Sequence, residues 1–110
     1  MESWNELFEK YRAVFVVTAN ERIAEIADLL DRLERNDAPE DAVNQLSHRF
    51  HQMSGSAGSY GFDGVSRACS EAETLCQTVL ERDRLLEPSE IVRCREIVER
   101  LLAEISHDPS

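Results

Sequence analysis

Ala42-Val43-Asn44-Gln45-Leu46-Ser47-His48-Arg49-Phe50-His51-Gln52-Met53-Ser54-Gly55-Ser56-Ala57-Gly58-Ser59-Tyr60-Gly61-Phe62 is the stretch around which the chain is organised. The 110-residue chain has 22 Asp+Glu against 12 Lys+Arg, a formal net charge of −10. This stretch nevertheless holds no acidic residue. Read as a helix, it places Val43, Leu46, Phe50, Met53, Ala57 and Tyr60 on one stripe with 3-4-3-4-3 spacing, which faces a core. His48, His51, Ser54, Gly55 and Gly58 then share a different face, one turn apart. A nucleophile-type side chain beside glycine, with no carboxylates nearby, describes a site for something anionic.

Working outward, the N-terminal Ser3-Trp4-Asn5-Glu6 has the form of a capping box and predicts a helix start. Leu7, Phe8, Tyr11, Val14 and Phe15 continue one apolar stripe, and Ile23, Ile26, Leu30 and Leu33 form a second. No Gly or Pro occurs from residue 1 to 38, so the pattern fits one long helix or two; the β-branched cluster in Phe15-Val16-Val17-Thr18 favours a break there, giving a short first helix and a longer second one. Asn36-Asp37-Ala38-Pro39-Glu40 reads as a turn in which Asp37 and Glu40 repeat the capping arrangement. Gly61 is a natural left-handed stop for the histidine helix. Two more apolar stripes follow, one from Phe62 to Leu80 and one through Ile91, Cys94, Val98, Leu101 and Ile105, with Pro88 suited to a first helical turn. His107-Asp108-Pro109-Ser110 reads as a frayed tail. The predicted helices span about 3–15, 18–35, 38–60, 62–82 and 88–106. Nothing alternates with a period of two, so the fold class is all-α. It is an up-down-up-down four-helix bundle with a short additional N-terminal helix, in a single domain over residues 1–110.

Composition excludes several classes of function. Strong acidity disfavours nucleic acid and anionic membranes as partners, because both need a basic face. No apolar run approaches the roughly 20 residues that cross a bilayer, and no signal-peptide order is visible. The chain is therefore placed in the cytoplasm. Cys69, Cys76 and Cys94 fall on apolar stripes without zinc or redox spacing and read as reduced core residues. His48 and His51, three apart, could share a metal ion, but no third ligand is evident. Glu104-Ile105-Ser106-His107 has the Glu-x-x-His form of di-iron bundles, but those need a second copy.

A glycine inside a helix costs on the order of 1 kcal/mol relative to alanine, and Gly55 and Gly58 both lie on the histidine face. From the residues alone two explanations stand. The glycines clear an approach to the imidazole for another protein, or they let a neighbouring helix of this chain pack closely.

His51-Gln52-Met53-Ser54-Gly55-Ser56-Ala57-Gly58-Ser59-Tyr60-Gly61 resembles the signature of histidine-containing phosphotransfer (HPt) domains, roughly H-x-L-K-G-S-A-x-x-x-G. The family's histidine maps to His51, its apolar position to Met53 and its glycine to Gly55. Ser56, Ala57, Gly61 and the downstream Glu73 also match. The resemblance implies a phosphocarrier in a two-component phosphorelay. His51 accepts a phosphoryl group from the aspartyl phosphate of a response-regulator receiver domain and passes it to another receiver. His48, Gln52, Ser54, Gly55 and Gly58 form the docking and phosphoryl environment. It implies receiver domains as partners, with a hybrid histidine kinase as a further candidate. It further implies no cofactor of its own, with Mg²⁺ on the receiver, and no turnover site. A bundle of this size can be a monomer, and the sequence leaves open a free-standing carrier or a piece of a larger hybrid kinase, the Met1 start and Pro-ended tail leaning towards the former. One departure stands out: many family members have lysine three residues after the histidine, where this chain has Ser54, which brings no charge. His48 or Arg49 is a candidate to compensate, although His48 reads more simply as a solvated neighbour. The competing functional classes are a docking module that accepts no phosphate and, more remotely, a metal-dependent bundle enzyme.

Overall fold

The computed structural model describes residues 3–106, and its secondary structure is four helices: α1 (Trp4–Glu34), α2 (Pro39–Ser59), α3 (Asp63–Glu81) and α4 (Pro88–Ser106). Each helix packs on the next and α4 closes the ring against α1, as an antiparallel bundle with short connections requires. One core cluster joins all four, with Phe50, Ile26, Leu30, Leu46, Met53, Ile97 and Leu101 among its fully buried members. Among the described residues no helix is long and apolar enough to cross a membrane. The tail assigned to His107–Ser110 lies outside the described residues.

The expected break near residues 15–18 does not occur, so there is no separate N-terminal helix. α1 is continuous for 31 residues. Phe15 is buried against the rings of Tyr60 and Phe62, with centroids 5.5 and 5.2 Å away, and Ala19 and Ile23 carry the same buried stripe onward. Burying Phe15 and Ile23 stabilises by ~1.5–3 kcal/mol each, more than the few tenths that each β-branched residue costs a helix. The rest of the first predicted stripe is corrected too. Tyr11 and Val14 are exposed, and Leu7 and Phe8 only half-buried. α1 spans ~46 Å against ~30 Å for its partners, so its first turns overrun the bundle and leave Trp4 79% exposed.

The Ser3–Glu6 capping box forms as read, with Glu6 N–H donating to Ser3 Oγ at 3.2 Å and Ser3 N–H to Glu6 Oε2 at 3.3 Å. The Asp37/Glu40 box does not. Ala38 is the N-cap of α2, in the left-handed region at φ 44°, with no side-chain cap, while Pro39 takes the first helical turn. Asp37 instead faces Arg32 and Arg35, 3.9 Å from each.

Three helices end in the same way. A left-handed residue follows the cap, namely Asn36 (φ 56°), Gly61 (φ 82°) or Asp83 (φ 51°). The next residue's N–H closes back on the helix, as in Asp37 to Arg32 O at 2.9 Å, Phe62 to Ala57 O at 3.0 Å and Arg84 to Val79 O at 3.2 Å. These are Schellman closures. They reverse the chain tightly, and they put α2 and α3 side by side along most of their length.

Candidate functional site

His51 lies in the middle of α2, between the buried Phe50 and Met53, which anchor its backbone to the core. Its side chain is 72% exposed. Nδ1 is 2.8 Å from Glu73 Oε2 on α3, and Glu73 is only 17% exposed. Gln77, one turn on, donates its Nε2 to the same oxygen at 3.3 Å. A carboxylate has no proton to give, so in the neutral imidazole Nδ1 carries the hydrogen and Nε2 keeps the lone pair. The site thus has a fixed tautomer with a nucleophilic nitrogen directed away from α3.

That contact corrects the expectation of a site without carboxylates. No acid lies near His51 along α2, but α3 brings one to the imidazole from 22 positions away. Glu73 entered the sequence reading only as a matched position. Nothing local marks it as a histidine partner, because the contact is made by packing.

Ser54 also turns toward α3. Its Oγ lies 2.7 Å from Ser70 Oγ and 3.1 Å from Ser66 O, and Ser66 Oγ donates to Ser54 O at 2.9 Å. These bonds clasp the two helices one turn from the His51–Glu73 contact. Ser54 is therefore a tie between helices as well as an uncharged neighbour of the histidine face.

The two glycines part company. A Cβ on Gly55 would meet nothing within 4 Å, whereas one on Gly58 would lie 3.4 Å from Ser66 Oγ. Gly55 fits the reading of a cleared approach and Gly58 that of a close helix contact. His48 is exposed one turn before His51 and shares with it, Asn44, Ser47, Glu73 and Gln77 a shallow concavity of about 300 Å³ between α2 and α3. Gln52 is half-buried and lines a second concavity, of about 400 Å³, on the α1 side, together with His51, Gly55, Ser56, Ser59 and Arg22. Arg49, a candidate to compensate for the missing lysine, is already committed to Glu25 on α1 at 2.7 Å. No group of three or more His, Cys, Asp or Glu that could hold a metal is present among the described residues. Glu104, of the Glu-x-x-His pattern, bonds with Arg100 and lies beside Gly64 on α3, while His107 is outside the described residues.

The model of the Hpt domain family matches residues 10–104. No match was found among curated proteins or among solved structures. The match runs from within α1 to within α4 and takes in the whole histidine face, and the chain belongs to the Hpt domain family, whose members carry phosphoryl groups on histidine in phosphorelays and interact with receiver domains.

Proposed function

We propose that this protein is a cytoplasmic phosphocarrier in which His51 is the phosphoacceptor, loaded by one receiver domain and unloaded by another. The observation that carries this reading is the exposed imidazole held at Nδ1 by Glu73. The Nε2 lone pair attacks phosphorus in the receiver's aspartyl phosphate. A P–N bond forms, the P–O bond breaks, and its electron pair leaves with the aspartate carboxylate. Nδ1 keeps its hydrogen, so the phosphorylated ring becomes cationic and the Glu73 carboxylate stabilises it. Transfer to the second receiver reverses these steps. Phosphoryl transfer depends chiefly on positioning and charge stabilisation, and the receiver supplies Mg²⁺ and the acidic pocket. Gly55 leaves the approach to the ring open.

The test is incubation with phosphorylated receiver domains. The wild-type protein should gain acid-labile, base-stable phosphate, and His51→Gln should gain none. Glu73→Ala should still be labelled, but ~10-fold or more slowly. Binding of receivers without any label on the wild-type protein would leave a docking module in place of a carrier.

A further inference from the structure

Arg22 is a basic residue of α1 beside His51. It lines the same concavity as His51, Gln52, Gly55, Ser56 and Ser59. It is half-buried, next to the buried Ile23 in the sequence. In a chain with 22 acidic and 12 basic residues most arginines are engaged. Arg49 holds Glu25, Arg84 holds Glu90, Arg93 holds Glu71, and Arg95 holds Asp31 and Glu34. Arg22 makes no ion pair or hydrogen bond with any described residue, although it stands where an anion is to be bound. Its nearest acid along α1 on the α2 side, Glu25, is occupied by Arg49.

The two flanks of His51 therefore differ in sign. α3 presents the Glu73 carboxylate to Nδ1. α1 presents an uncommitted guanidinium across a helix surface left bare at Gly55. Ser54 supplies no charge and is tied to α3. A guanidinium offers paired N–H donors matched to phosphoryl oxygens. We propose that Arg22 is the phosphoryl-binding cation of this carrier, donating from α1 to the oxygens of the group carried on His51. This inference rests on His51 being the acceptor, and it assigns to a different helix the charge that Ser54 lacks.

The experiment uses phosphoramidate as a small donor, which requires no partner. Nε2 of His51 attacks its phosphorus, the donor's P–N bond breaks, and ammonia leaves. Loading rate is followed by ³¹P NMR, and the phosphoryl resonance of the loaded protein is then titrated with pH. Arg22→Ala should load roughly 3- to 10-fold more slowly, and its phosphoryl titration midpoint should move up by about half a unit, because a nearby cation favours the dianion. Arg22→Lys should restore most of both effects. Thermal unfolding of the variants identifies any loss of fold, and midpoints are compared only among variants that are folded at the temperature of the titration. A His51 that loads normally in Arg22→Ala with an unmoved midpoint overturns the role of Arg22 and leaves the carrier reading intact. No label on the wild-type protein, or label retained in His51→Gln, overturns both.

Discussion

At the scale of single residues, Gly55 separates stability from function. It lies inside α2 and a Cβ there meets nothing within 4 Å. Gly55→Ala should therefore stabilise the protein by up to ~1 kcal/mol through helix propensity, read as a higher midpoint in urea. The same methyl group stands on the approach to Nε2, so transfer from a phosphorylated receiver should slow while loading from phosphoramidate is nearly unchanged. Equal rates with both donors would show that the bare surface is unrelated to docking. The residue at the centre of the face was legible from its surroundings: His51 beside small residues in an acid-free run. Its two charged flanks were not. Glu73 and Arg22 are 22 and 29 positions from His51, ordinary polar residues on their own helices, and only packing gives them a common neighbour.

At the scale of helices, the caps carry most of what local sequence can specify. Glu90 accepts both guanidinium nitrogens of Arg84, at 2.7 and 3.0 Å, and the backbone N–H of Glu87 at 2.9 Å, which ties the α3–α4 connection to the first turn of α4. Arg84 holds the Glu90 carboxyl below its ordinary value of 4.5. A carboxyl depressed in the folded state stabilises above its unfolded value, and that contribution is lost as pH falls through the folded value. Glu90→Gln should cost ~1 kcal/mol at neutral pH, allowing for partial exposure of the pair, and the difference from wild type should shrink below about pH 4. Urea unfolding at both pH values checks this. Four helix boundaries were readable within a few residues because they rest on Ser3, Pro39, Gly61 and Pro88, whose conformational demands are local. The spurious break in α1 came from weighing Val16, Val17 and Thr18 by propensity. The aromatic contacts of Phe15 with Tyr60 and Phe62, which outweigh it, are distant in sequence. Ala38 was opaque for a related reason: its left-handed φ is imposed by the reversal around it, against its own preference.

At the scale of the whole molecule, apolar periodicity was enough to give a bundle with one core, and the three cysteines were correctly placed inside it. Burial pushes the Cys69 thiol up to about 12, and a hydrogen bond to Cys94 together with burial raises Cys76 as well. At pH 8 only about 1 in 10,000 Cys69 side chains is then a thiolate. Native protein should react with a thiol reagent such as DTNB only at the rate of unfolding, with all three groups released at once in urea; rapid native labelling would refute the buried placement. The three Schellman reversals sit at the two ends of the bundle, while His51 is near the midpoint of α2. Joints and chemistry are therefore spatially divorced. A turn that keeps its left-handed positions and its buried residue, Phe62 or Leu86, can be redesigned at either end of the bundle while the histidine face stays as it is.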